Sequence, residues 1–255
     1  TGLYFAYTSP GAAHSQPSGS LIEDIGDGDN WLEISTANKS SLMGVVVDKL
    51  HDGATGVLTT ASDLVVDLLS IDLAGGALES TTDVGLLNGD NLAAVGQGNE
   101  WEIIQFKTAT EEEGNSFATD NRWRLTELRR GLRGTERFTA THDTGEWFVL
   151  LNAQRMHFHP VDNTLIGLSR RYKVIQSGMD VDSAPSSQVT LEGNTSLSVA
   201  VANLVAWRKS NGDVVFTWNR RTRARYRTFG TQIAPLCEAT ESYDVVIDLG
   251  TDRTI

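Results

Sequence analysis

The chain has 255 residues, 40% hydrophobic and 21% charged, with a formal net charge of −12. That balance excludes a disordered chain, and no apolar run nears the roughly 18 residues of a membrane-spanning helix. A single cysteine, Cys237, excludes an internal disulfide framework and a thiolate metal cluster.

The length allows one large domain or two ordinary ones, held by a hydrophobic core. Gly is frequent, Pro is sparse, and Val, Thr and aromatic residues recur along the whole chain. This pattern predicts many short strands joined by Gly/Asn/Asp turns, a mostly β protein. The chain opens at Thr1-Gly2-Leu3 without an initiator Met, which reads as a processed chain or a piece of a longer one.

In chain order, residues 2–7 read as a first strand, followed by a polar loop through Ser20. Asp24, Asp27, Asp29 and Asn30 suggest a calcium loop, but Ser35 stands where a loop starting at Asp24 needs a bidentate Glu. The segment instead predicts a Gly-rich turn before a strand. Residues 42–48 predict a buried strand. Over 63–73 the pattern is ambiguous: Leu64, Val65, Leu68 and Leu69 have helical spacing, whereas Leu69, Ile71 and Leu73 alternate. From Thr81, Asn88-Gly89, Asp90-Asn91, Gly96 and Gly98-Asn99 predict successive turns. Trp101 to Phe106 predicts a strand, Glu111 to Asn115 a hairpin tip, and Asn121 to Leu128 the returning strand. In that strand Trp123 and Leu125 share one face, Arg122 and Arg124 the other.

Arg129 to Glu136 reads as a basic turn, and Gly145 to Leu151 as a central strand apolar on both faces. Gly178 to Asn194, rich in Ser, Asp, Gly and Gln, predicts a boundary between domains 1–180 and 190–255. Beyond it, Leu204 to Trp207 and Asp213 to Trp218 flank Asn211-Gly212, a hairpin signal. Tyr243, Val245 and Ile247 predict the next strand. Trp101, Trp147, Trp207 and Trp218 fall in apolar strands and are expected in the core.

Charge is uneven along the chain. Residues 1–120 carry 3 Lys/Arg against 19 Asp/Glu, and residues 121–255 carry 18 against 14. Such a split suits subunits whose acidic and basic faces meet, or simply a solvated acidic surface. The acidic total argues against general nucleic-acid binding. Chemistry is sparse. His157 and His159 share a strand face, as a metal pair would, but no third ligand stands at a telling distance, so no metal is expected. No nucleophile elbow, zinc-protease helix or phosphate loop occurs. No carboxylate pair sits in an apolar context, and Cys237 lacks a basic neighbour. No catalytic residue and no cofactor are predicted. Arg221, Arg223, Arg225 and Arg227 would project to one side of a continued strand. They would form a contact surface for a neighbouring subunit, a polyanionic polysaccharide (glycan) or nucleic acid, or else a ladder paired with local acids such as Glu238 and Glu241.

Two segments together carry a family resemblance. The first joins Leu86-Leu87-Asn88-Gly89-Asp90-Asn91, Gly96 and Trp101-Glu102-Ile103-Ile104-Gln105-Phe106 to Leu125 through Glu136 and Phe148-Val149-Leu150-Leu151. It resembles the large tail-tip protein, the baseplate hub or "megatron", of tailed phages and alphaproteobacterial gene transfer agents. The second runs from Asp213 to Arg223, then Pro235-Leu236-Cys237-Glu238 and Glu241-Ser242-Tyr243. It resembles the fibronectin-III-like module that follows in those proteins. The resemblance covers residues 80–255 well and the first 80 loosely. Arg129-Arg130 stands where the family has Leu-Arg, and Cys237 where Gly is common. An upstream TIM-barrel-like region of longer members has no match here, so no hydrolase residues carry over.

The resemblance implies a β-rich tail-hub domain over 1–180 and a fibronectin-III-like module over 190–255. It further implies a non-enzymatic virion component at the distal end of the tail. That component is a homotrimer contacting other hub and tail-tip proteins, and through them the host surface, in host attachment and DNA delivery. The alternative is a carbohydrate-binding tail module that touches the host directly. A fibronectin-III sandwich needs about seven strands, so the second module is expected to be incomplete within these residues.

Overall fold

In a computed structural model of the chain, the residues described are 2–8, 18–26, 28, 30–55, 57–69, 78–112, 121–193, 201–222, 236 and 239–243. Strands β1 (Gly2–Phe5), β2 (Gly19–Asp24) and β3 (Trp31–Ala37) precede β4 (Met43–Val46), β5 (Leu58–Thr59) and β6 (Leu64–Leu68). A short helix, α1 (Asp83–Asn88), leads into β7 (Leu92–Gln97), β8 (Glu100–Glu111), β9 (Arg122–Leu132) and β10 (Trp147–Leu150). Then come β11 (His157–Pro160), β12 (Ser169–Gln176), β13 (Ser187–Thr190), β14 (Ala202–Arg208) and β15 (Val214–Asn219). The protein is mostly β, as its composition predicts. It divides into two compact units, 1–197 and 198–255. The Ser/Asp-rich stretch expected as a boundary is built into the first unit through Thr190, because β13 pairs with β12.

Strands β4, β6, β9, β8, β7 and β10 pair in that order, and β10 returns to β4, closing a six-stranded antiparallel barrel. β5 adds beside β9 at Leu58↔Arg129. Closure follows from β9, whose eleven residues are long enough to pair with β6 at one end and β8 along most of its length. The bore is filled by Leu64, Val66, Ile104, Phe106, Leu125 and Phe148, all without solvent contact. A barrel this narrow has room only for its own side chains.

Alternation puts Trp123 and Leu125 inside and Arg122 and Arg124 outside, as the sequence predicts. Phe106 and Ala109 on β8, and Leu125 and Leu128 on β9, face the core despite odd spacing. The alternation slips by one at Glu127, which adopts a left-handed φ of 54°.

Three expectations are corrected within the barrel. The turn expected at Asn88-Gly89 is the end of α1: Thr82 caps the first turn by accepting from the Gly85 N–H, and Gly89, at φ 95°, caps the last. Arg129 to Gly131 belong to β9, and the turn begins at Arg133. Trp147 lies outside the barrel, 41% exposed, because its neighbour Phe148 takes the inward position. Trp123 is the buried tryptophan.

The remaining strands of the first unit form a four-stranded antiparallel sheet, ordered β13-β12-β2-β3, and a two-stranded ribbon of β1 and β11. One face of the sheet presents Leu21, Ala37 and Tyr172 to Phe5 and Tyr7. The other gathers Ile22, Ile175 and Ala184 with Trp31. The sheet and ribbon draw on residues 2–37 and 157–190, so the barrel is an insertion between β3 and β11.

In the second unit, β14 and β15 form the hairpin predicted around Asn211-Gly212, with Gly212 at φ 92°. Trp218 meets Tyr243 edge-on at 5.2 Å. Trp207, expected in the core, is 46% exposed on the hairpin. Val245, Ile247 and Cys237 lie outside the described residues.

Candidate functional site

The inward positions of the barrel strands continue past the apolar layers into charge. On β8 the inward series Phe106, Ile104 ends at Glu102; on β9 Leu128 is followed inward by Arg130; Phe148 on β10 is preceded by Glu146. These groups and His142 close one end of the barrel, and Glu102, Arg130 and His142 have essentially no solvent contact. Arg130 Nε and Nη2 donate to the Glu102 carboxylate at 2.9 and 2.7 Å. Its Nη1 donates to the His51 carbonyl at 2.8 Å and its Nη2 to that of Thr139 at 3.1 Å. The Gly131 N–H donates to Glu102 at 2.6 Å. Glycine is required there: φ is 61°, and a Cβ would stand 2.8 Å from Thr55 and 3.0 Å from Glu136. His142 Nε2 lies 2.7 Å from Glu102, and Nδ1 lies 2.7 Å from Glu146.

Burial by itself would raise the Glu102 carboxyl. His142, Arg130 and the Gly131 N–H outweigh it, and the group is held below its ordinary range. Burial likewise opposes the His142 cation, yet its bonds to Glu102 and Glu146 raise its proton affinity. With both ionised, the two carboxylates and two cations cancel. Such a completed network holds β8, β9, the loop at His51 and the segment leading to β10 together. Loss of Glu102 or Arg130 strands a buried charge. Beside it, an open depression is lined by Asp48, Lys49, His51, Asp52 and Asp63.

The sequence missed this site because its members are up to 44 residues apart, Glu102 to Glu146, and each alone is an ordinary residue of an acidic chain. The signal present was the isolated charge among inward apolar positions of β8 and β9.

The uneven charge along the chain also has a use within the first unit. Arg122 pairs with Asp67, Arg124 with Asp63, Arg130 with Glu102, Arg170 with Glu23 and Arg171 with Asp24. Each pair joins an acid from the first 120 residues to an arginine from the rest.

Of the arginines singled out in the sequence, Arg221 follows β15, while Arg223, Arg225 and Arg227 lie outside the described residues. The neighbouring Arg220 pairs with Glu241, which also accepts from the Tyr243 hydroxyl. His157 is buried, stacked on Phe5 at 5.1 Å, with Nε2 2.9 Å from the Lys39 carbonyl oxygen. His159 lies opposite Leu3 on β1. Among the described residues no group of three His, Cys, Asp or Glu side chains is placed to hold a metal. No described helix is long and apolar enough to cross a membrane.

Residues 41–149 match the family described as Rcc01698-like, C-terminal. The match covers less than half of the chain and is to a family associated with gene transfer agents. The span runs from two residues before β4 to the third residue of β10, so what matches is the barrel with its charged end. It starts upstream of residue 80, where the sequence resemblance becomes strong, and stops before the second unit. No curated protein matches the chain.

Proposed function

We propose that the chain is a structural component of the tail tip, or baseplate hub, of a phage or phage-like particle. It joins the tail tube to the distal, host-contacting parts and serves host attachment and DNA delivery without catalysing a reaction. The observation that carries this reading is the coincidence of the family match with one closed barrel. A hub bears load across large interfaces, and a barrel suits it. Closure removes sheet edges that would otherwise pair with other chains, and the buried ionic network fixes one end. In this reading the copies form a homotrimer at the distal end of the tail, in contact with other hub and tail-tip proteins. The second unit is a fibronectin-III-like module of which β14 and β15 are part. Electron microscopy of particles carrying labelled chain tests this. Density at the distal tail end is expected, and density in the capsid, or no incorporation, would overturn it.

A second reading, a glycan-binding tail module, draws on the outward Trp147. Cross-strand register aligns Val45, Trp147, Gly96 and Trp101 in one row across β4, β10, β7 and β8. Aromatic faces beside a glycine present flat apolar surface of the kind sugars stack on. Binding of the isolated chain on a glycan array, lost in Trp147→Ala, would favour it over the hub.

A further inference from the structure

We propose that His142 is an imidazolium at neutral pH and serves as a proton-controlled latch, holding the segment between β9 and β10 against the end of the barrel. The argument starts from donors and acceptors. Ionised carboxylates only accept, and both ring nitrogens of His142 stand 2.7 Å from carboxylate oxygens, Glu102 Oε2 and Glu146 Oε2. A neutral imidazole carries one N–H and would turn a lone pair toward the other carboxylate. The charged groups bonded to the ring or to its partner are Glu102 on β8, Glu146 before β10 and, through Glu102, Arg130 on β9, which also engages the His51 and Thr139 carbonyls. Arg130 alone balances Glu102, so the carboxylate of Glu146 facing Nδ1 calls for a second cation, which a ring carrying both N–H groups supplies. Loss of that proton leaves a buried negative charge facing a lone pair.

What opens is defined by connectivity. Glu102 and Arg130 keep their direct bidentate pair, and the barrel strands keep their ladders. The segment from Arg133 to Gly145 is attached on the barrel side through His142, through the Thr139 carbonyl, through Thr135 Oγ1, which accepts from the Ile103 N–H at 2.9 Å, and at its end through the Gly145 N–H, which donates to the Val46 carbonyl on β4 at 2.8 Å. The sign follows from linkage. A histidine whose folded proton affinity is raised contributes stability that is full below its ordinary value of about 6.5 and is lost as pH rises to the folded value.

The whole chain, with its histidines labelled with nitrogen-15, tests the latch. The His142 ring is expected to be doubly protonated at about pH 7.5, above the ordinary imidazole range. Amide protection factors of residues 133–144 should fall about tenfold per pH unit above about 6.5, until the folded ring gives up its proton. Those of β6, β8 and β9 should stay level. In Glu146→Gln the amide can donate to Nδ1, so a neutral ring satisfies the network. His142 should then be neutral at about pH 7.5 and the segment's protection independent of pH. A neutral wild-type ring at that pH, or segment protection that ignores its titration, would overturn the proposal. So would barrel strands that open in parallel with the segment, or a ring still charged in Glu146→Gln. Should that variant not fold, the wild-type titration decides alone.

Discussion

The barrel and the four-stranded sheet of the first unit use the same residue types for different ends. In the barrel, Arg130 and Glu102 meet with no solvent contact, and all three guanidinium nitrogens of the arginine donate to protein oxygens. In the sheet, Arg170 and Arg171 reach Glu23 and Asp24 at 3.7 and 3.4 Å from side chains 30% and 40% exposed, and Arg171 also lies over the Trp31 ring. Water reaches the sheet arginines, although Asp24 beside Arg171 is itself nearly buried, and it reaches neither member of the barrel pair. The ion pairs that matter most to stability are therefore those whose removal leaves a charge in the dark, and surface pairs of equal number count for little.

The sharpest test of that contrast is truncation of one arginine on each side. Arg130→Ala should destabilise the first unit by about 3–5 kcal/mol in denaturant unfolding, because the buried Glu102 and Glu146 are left with His142 as their one cation. Arg171→Ala should cost less, about 1–2 kcal/mol, because the arginine is well solvated and Asp24, although nearly buried, keeps the Gly26 N–H as a donor. Equal losses would break the comparison.

Acid sharpens it. Since the Glu102 carboxyl is held below its ordinary range in the fold, its contribution is present above the unfolded value of about 4.5 and is lost as pH falls through the folded one. Urea midpoints should drop over that acid window, and the drop should flatten in Glu102→Gln even though that variant starts less stable.

A smaller effect of opposite sign is expected where the sheet meets the ribbon. The Tyr7 hydroxyl is buried without a hydrogen-bond partner among the described residues, and burial raises its proton affinity. Tyr7→Phe removes that desolvated group and should leave stability unchanged or raise it by up to about 1 kcal/mol, read from the thermal midpoint. Smallest of all is Arg122→Ala. Its bidentate partner Asp67 is on the barrel's outer, solvated face, and no shift in melting temperature is expected.

Much of the fold is legible in the sequence where a local rule operates. Arg122-Trp123-Arg124-Leu125 shows its two faces by alternation, and Asn211-Gly212 announces its hairpin through the positive φ that glycine permits. Legibility fails where the determining partner is remote. Barrel closure depends on β9 pairing with both β6 and β8, a property of no single window. Trp147 looks like core until Phe148 is seen to hold the inward position. The six residues of α1 are too few to display a helical period, so only Thr82 and Gly89 marked its ends. Part of the uneven charge, suggestive of facing subunits, is used between strands of the first unit that fold back on one another. The charged barrel end assembled from Glu102, Arg130, His142 and Glu146 combines both difficulties.

The position of the barrel between β3 and β11 has a consequence for how such a protein can change over generations. Met43 stands directly opposite Val149, so the insert begins and finishes on adjacent strands whose backbones lie about 5 Å apart. A segment whose two ends meet imposes little more on its host than a short loop would. A single genetic event could excise it and leave β3 and β11 bridged by a turn, with the sheet and ribbon still complete. The same event in reverse could set the barrel, with its interior and its ionic end intact, into an exposed turn of an unrelated β scaffold. The barrel is in that sense a portable cassette, able to be inherited separately from the sheet that carries it.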